Sequence, residues 1–214
     1  MSEYPALHRY MGRNARDYEK RRFTSLRGRM VDSLEWHLLA RSLARLDAAA
    51  GRATTVLDVP TGTGRMARRL TRCGFAVTGL DVSDDMLAEA RRAQSAQAYL
   101  VGRAEHLPCP DQAFDAIVSV RLFGHLTATA QVEALAEFRR VARRGAVVFM
   151  ATDSRWLRAR RAWQDRRGRS LEHWTPLALS QIRDLAQAAG FNVVDVLPLL
   201  GPYAETRAVV MVPA

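Results

Sequence analysis

Between residues 54 and 151, short apolar runs alternate with helical stretches, and this alternation constrains the fold more than any other feature. Thr54–Val59, Phe75–Leu80, Ala98–Val101, Phe114–Val120 and Gly145–Ala151 predict buried strands. Gly64–Cys73 reads as a helix. Ser83, with Asp84 and Asp85 in the first turn, opens a second that runs to about Ala93, and Thr127 caps a third that reaches Val141. Strands spaced by single helices pair in parallel, because each crossover is right-handed and lays its helix on a sheet face. Ligands then bind beyond the carboxyl ends of the strands, where the strand order reverses. The tail breaks the pattern: Phe191–Leu199 and Tyr203–Val212 flank the turn signal Leu200-Gly201-Pro202 and predict an antiparallel hairpin at the sheet edge. The expectation is a doubly wound α/β sheet of seven strands, mostly parallel, with that hairpin at its C-terminal edge. Ahead of it, residues 7–50 read as helical, with Leu34, Leu38, Leu39, Leu43 and Leu46 at helical spacing and Gly51 as the stop. The chain therefore divides into a helical segment, 1–52, and an α/β domain, 53–214.

The richest segment is Val56-Leu57-Asp58-Val59-Pro60-Thr61-Gly62-Thr63-Gly64-Arg65, a strand that ends in a glycine turn and opens a helix. Gly62 and Gly64 allow close backbone approach, and the helix start offers unpaired N–H groups. Asp81, at the end of the second strand, is placed to accept hydrogen bonds from both hydroxyls of a ribose. Gly62-Thr63-Gly64-Arg65-Met66-Ala67 also fits the dinucleotide pattern G-x-G-x-x-A. A pyrophosphate, however, would be repelled by Asp58, four positions before Gly62, whereas a cationic amino-acid group would be attracted. That favours S-adenosylmethionine, which carries an ammonium and a sulfonium, over a nicotinamide dinucleotide.

On these residues the chain resembles the class I S-adenosylmethionine-dependent methyltransferases of the ubiquinone/menaquinone-methylase-like branch, from about Thr54 to Ala151 and more loosely beyond. Asp58, Gly62 and Gly64 match the family's first motif, in its variant with Pro60 in place of the first glycine. Asp81, Val82 and Met86 resemble the ribose and adenine side of the site. Ala104-Glu105-His106-Leu107-Pro108 resembles the segment that reads the adenine edge, with Arg103 where the family usually has Asp. Asn14-Ala15-Arg16-Asp17-Tyr18 resembles the region in which a tyrosine covers the cofactor, so the resemblance makes residues 1–52 a lid and Tyr18 a cofactor or substrate contact. It also implies a Rossmann-like fold and S-adenosyl-L-methionine as cofactor.

Methyl transfer is an in-line displacement at a sulfonium and needs positioning more than an elaborate catalytic set. The loop after the fourth strand, Val120-Arg121-Leu122-Phe123-Gly124-His125, should lie beside the transferred methyl. Val120 is expected against the cofactor. His125 is the candidate general base, or else a histidine packed at a helix entry. Arg121 is the candidate anchor for an anionic substrate, or else contacts the cofactor or a helix end. Neither Asn-Pro-Pro-Tyr nor Asp-Pro-Pro-Tyr follows this strand, which speaks against adenine N-methylation of nucleic acid. Arg155 to Trp174, carrying Trp156, Trp163 and Trp174, reads as an amphipathic helix or as a substrate wall.

Composition adds a partner question. There are 32 Lys+Arg against 22 Asp+Glu, a net of +10, and every one of those cations except Lys20 is arginine. High-GC codon usage accounts for Arg over Lys; the excess itself points weakly to an anion, whether a carboxylate, phosphonate or phenol, an acidic lipid surface, or RNA. A small-molecule acceptor is the first expectation, with RNA (tRNA) or phospholipid methylation and a cofactor-binding protein without transfer activity as the alternatives. No apolar run approaches the ~18 residues of a membrane span, and Cys73 and Cys109 build no disulfide framework or metal cluster, which suits the cytoplasm.

Overall fold

The computed structural model describes residues 12–153, 176–199 and 205–214. Seven strands form one sheet: β1 (Thr55–Asp58), β2 (Ala76–Asp81), β3 (Ala98–Val101), β4 (Phe114–Ser119), β5 (Ala142–Ala151), β6 (Phe191–Pro198) and β7 (Thr206–Pro213), in the order β3-β2-β1-β4-β5-β7-β6. β1 to β5 run parallel, while β7 pairs antiparallel with both β5 and β6. The expected α/β sheet and edge hairpin are therefore present. The hairpin's last strand lies inside, against β5, and β6 forms the edge; residues 200–202, read as its turn, lie outside the described residues.

The helices are α1 (Arg13–Arg16), α2 (Tyr18–Phe23), α3 (Leu26–Ala50), α4 (Arg65–Arg72), α5 (Asp84–Arg92), α6 (Ala128–Val141) and α7 (Leu179–Ala188). Ser83 and Thr127 cap as expected, their side chains accepting from the amides of Met86 and Ala130. The central strands β1, β4 and β5 are buried on both faces, and the sheet separates two apolar layers. On one, Leu38, Leu39, Leu43 and Leu46 of α3 and Leu70 of α4 pack against Val56, Val118, Val147 and Val210. On the other, Leu135 and Phe138 of α6 and Ile182 of α7 pack against Leu57, Ile117, Val148 and Val209. Each fully buried Leu, Ile or Phe stabilises by roughly 1.5–3 kcal/mol.

The N-terminal segment departs from the reading of one helical run. Ser25 is extended and accepts from the Gly28 amide at 3.1 Å, so a new helix starts there. The corner is close-packed, since a Cβ on Gly28 would stand 2.2 Å from the Arg22 carbonyl oxygen. The second half of α3 belongs to the core layer just described; only α1, α2 and the first turns of α3 stand over the strand ends. α7 has no counterpart in the sequence reading, although Leu179, Ile182, Leu185 and Ala186 fall at helical spacing; it buries Ile182 and Ala186. The expected segment from Arg155 to Trp174 lies outside the described residues.

Part of the arginine excess is structural and far from the site. At the amino ends of β1 and β4, Asp115 accepts from the amides of Thr54 and Thr55 and from the Thr54 hydroxyl. Arg143 donates to its other oxygen at 3.0 Å, and Arg144 approaches the same oxygen at 3.4 Å. Burial opposes ionisation, but the hydrogen bonds from Thr54, Thr55 and Arg143 together outweigh it and hold this carboxyl well below the usual range.

Candidate functional site

After β1 the chain passes through a cis Val59–Pro60 bond and two left-handed glycines, Gly62 (φ +56°) and Gly64 (φ +81°), into α4. The loop is tied to β2 by the Thr61 amide, which donates to the Leu80 carbonyl at 2.8 Å. The two glycines do different work. A Cβ on Gly62 would meet nothing within 4 Å, so this residue leaves the backbone open to a ligand. A Cβ on Gly64 would lie 2.0 Å from Ser95 Oγ, so Gly64 lets the loop pack on the residues that follow α5.

Two buried carboxylates flank the glycine loop. Asp58 is 1% exposed and accepts from Thr61 Oγ1 at 2.9 Å. Burial pushes its pKa up to about 7, with the Thr61 hydroxyl and the Arg65 charge opposing the rise. Asp81 accepts from the Gly62 amide at 2.8 Å and from the Ser83 amide at 2.9 Å, and burial raises its pKa as well.

These groups open into a cavity of about 280 Å³ at the carboxyl ends of the strands. Asp58, Pro60, Gly62, Asp81, Val82 and Met86 line one side. Val120, Arg121 and His125, from the loop after β4, line another, and Tyr18 of α2 reaches in from the N-terminal segment. Val31, Leu122, Phe149, Met150 and Leu199 supply an apolar wall. Three expected cofactor residues do not line it. Gly64 faces Ser95 instead; Ala104 is buried at 3% exposure; and the Glu105 carboxylate lies 3.5 Å from the Arg103 guanidinium.

The sequence reading missed Glu35 and Phe23. Glu35, on α3, has a side chain 4% exposed and holds Arg65 Nη2 at 2.7 Å and Arg121 Nη2 at 2.6 Å. One turn earlier, Asp32 binds Arg65 and Arg69. The Phe23 ring faces both guanidinium groups, that of Arg65 at 4.4 Å and that of Arg121 at 5.5 Å. Arg121 adopts a left-handed backbone (φ +65°), and its buried Nε has no hydrogen-bond partner. The cluster joins α2 and α3 to both loops of the cavity. Two further contacts fasten the segment: Glu19 accepts from Thr63 Oγ1 at 2.8 Å, and the Gly12 amide donates to Asp85 at 2.8 Å. The only sequence signal was two acids, Asp32 and Glu35, one turn apart; their partners are too distant in the chain to be read from spacing.

A glycine loop between two buried carboxylates at the β1–β4 switch point is accompanied by likeness to known proteins. Residues 56–145 match the family described as "Methyltransferase domain". That stretch runs from β1 into β5 and holds Asp58, Gly62 and Asp81. Among curated relatives, the malonyl-[acyl-carrier protein] O-methyltransferase of Yersinia pestis is 39% identical over 100 residues, 45% of this chain and 36% of that protein. The demethylmenaquinone methyltransferase of Chlorobaculum tepidum is 34% identical over 119 residues, 54% of this chain and 47% of that protein. The chain thus spans less than half the length of either. Among solved structures, the magnesium protoporphyrin IX methyltransferase of Synechocystis with bound SAH superposes with a TM-score of 0.76 at 16% identity, covering 97% of this chain and 98% of that one. At that identity the likeness is one of fold. Among the described residues, no helix is long and apolar enough to cross a membrane.

Proposed function

We propose that this chain transfers a methyl group from S-adenosylmethionine to a small-molecule acceptor in the cytoplasm. The observation that carries this reading is the pair of buried carboxylates, Asp58 and Asp81, facing one cavity across the open backbone of Gly62. Asp58 takes the ammonium of the amino-acid end, and Asp81 takes the ribose hydroxyls. Pro60, Val82, Met86 and Val120 give the apolar contacts between and beyond them. No cofactor contact is assigned to Gly64, Ala104 or Glu105. When bound, the cofactor supplies a methyl on a positively charged sulfur. The chain's own residues orient it and exclude water, with α1, α2 and the first turns of α3 as the lid and Tyr18 as its contact.

The acceptor lies against the apolar wall, with its nucleophilic oxygen beside His125, which takes the proton. Of the anionic classes, a phenol fits best. It needs no new cation, whereas Arg121, the expected anchor for a carboxylate or phosphonate, already holds Glu35 at 2.6 Å.

Calorimetric titration with S-adenosylmethionine, its demethylated product and NADH tests the reading. Micromolar binding of the first two and none of the third is expected; binding of NADH alone overturns it. Asp81→Ala should weaken S-adenosylmethionine binding by roughly 1–3 kcal/mol, through lost charge-assisted hydrogen bonds to the ribose and a loosened Gly62 amide. Unchanged affinity would remove the ribose assignment. With an acceptor drawn from a panel of phenols, His125→Ala should lower kcat about tenfold to a hundredfold and leave cofactor affinity alone. Equal kinetics for variant and wild type would remove the base.

A further inference from the structure

Half of the chain's net charge belongs to one short N-terminal stretch of its sequence. Residues 13–30 hold seven cations against two carboxylates, +5 of the net +10. This stretch runs from α1 through the first turns of α3. On α3 it carries two strongly exposed large apolar side chains, Leu26 at 79% and Met30 at 55%. They are four positions apart, so they stand one above the other on the same outer stripe of the helix. Arg27 and Arg29 beside them are exposed and have no ion pair among the described residues. Arg22 and Val31, on either side of Leu26 in sequence, both line the cavity, so the patch flanks its α2–α3 wall.

We infer that this patch docks the protein on an anionic lipid surface, with Leu26 and Met30 entering the headgroup–acyl boundary and the arginines resting on the lipid phosphates. Three features favour that occupant. A second copy would bring an equal excess of positive charge against the first, which opposes self-docking through this face. Two apolar side chains are too few for the core of a stable protein–protein interface, which needs roughly 800 Å² on each partner. Shallow insertion, by contrast, asks only for a few apolar side chains ringed by cations whose stems run along the apolar layer. Each cation near an anionic leaflet adds about 1 kcal/mol. Docked in this way, the apolar wall of the cavity faces a source of apolar acceptors. The docking claim itself does not depend on the methyltransferase reading.

Co-sedimentation with vesicles tests it, with the full chain, on phosphatidylcholine alone and on phosphatidylcholine mixed with phosphatidylglycerol. The wild type should pellet with the mixed vesicles, remain in solution with phosphatidylcholine alone, and be released by salt. L26E/M30E and R27E/R29E should each lower the partition coefficient roughly tenfold or more. All four positions are exposed, so the variants should fold, and unchanged circular dichroism and melting check this. Failure of the wild type to pellet overturns the inference. So does equal pelleting of L26E/M30E, which would mark a purely electrostatic surface suited to an acidic protein. Self-association that L26E/M30E abolishes, seen by light scattering without vesicles, would make a second copy the occupant instead. Titration with the demethylated cofactor product, run on the same samples, separates failure of the docking from failure of the methyltransferase reading.

Discussion

Asp58→Asn is expected to raise the melting temperature of the unliganded protein at pH 8 while sharply weakening S-adenosylmethionine binding. The cause is the buried carboxyl, whose pKa rises from an ordinary 3.8 to about 7 on folding. Between those values the folded chain holds a proton that the unfolded chain has released. Stability from this group is therefore fully present below pH 3.8, falls as pH rises through the window, and is gone above about 7. By linkage the loss is on the order of 4 kcal/mol, and a neutral Asn that still accepts from Thr61 avoids most of it. Cofactor binding runs the other way. An ammonium against Asp58 stabilises the carboxylate, so binding releases a proton below pH 7 and affinity should fall about tenfold per pH unit there, levelling off above. Calorimetry in buffers of different ionisation enthalpy counts that proton, and thermal unfolding at pH 5 and pH 8 reads the stability. An Asp58→Asn variant with unchanged cofactor affinity would end the ammonium assignment. A lower melting temperature at pH 8 would end the account of the raised pKa.

The second large effect concerns stability alone. Gly145→Ala should destabilise by about 3 kcal/mol or more, lowering Tm by roughly 6–12 °C for a chain of this size. Gly145 sits in β5 at φ +150°, and a Cβ there would stand 2.0 Å from the Met211 carbonyl oxygen and 2.8 Å from Leu46 Cδ1. The oxygen belongs to β7, whose register with β5 pairs Ala146 with Met211, so it has little freedom to retreat. Gly62→Ala is the contrast. Its Cβ meets open space, so only the left-handed backbone costs stability, about 1 kcal/mol, while the added methyl projects where the cofactor is proposed to lie. Thermal melting of the two variants beside cofactor titration should show one losing stability and the other losing binding.

The sequence by itself determined the strand–helix alternation, and with it the parallel sheet, the edge hairpin and the position of the glycine loop. Those follow from local signals: apolar runs, the Ser83 and Thr127 caps, glycines where the chain must turn. It also put Asp58, Gly62 and Asp81 on strand ends that parallel pairing brings to a common edge. Only the tertiary structure separated Gly62, which opens the cavity, from Gly64, which packs on Ser95, because the two are indistinguishable as a pattern. The same holds for Ala104 and Glu105, whose motif suggested a lining role that their packing does not give them. Glu35 lies on the helix that sequence read as part of a lid, yet that helix contributes four leucines to the core and one carboxylate to two distant arginines. Such long-range pairing leaves no periodic trace, since it depends on where packed helices bring side chains together and not on their spacing along the chain.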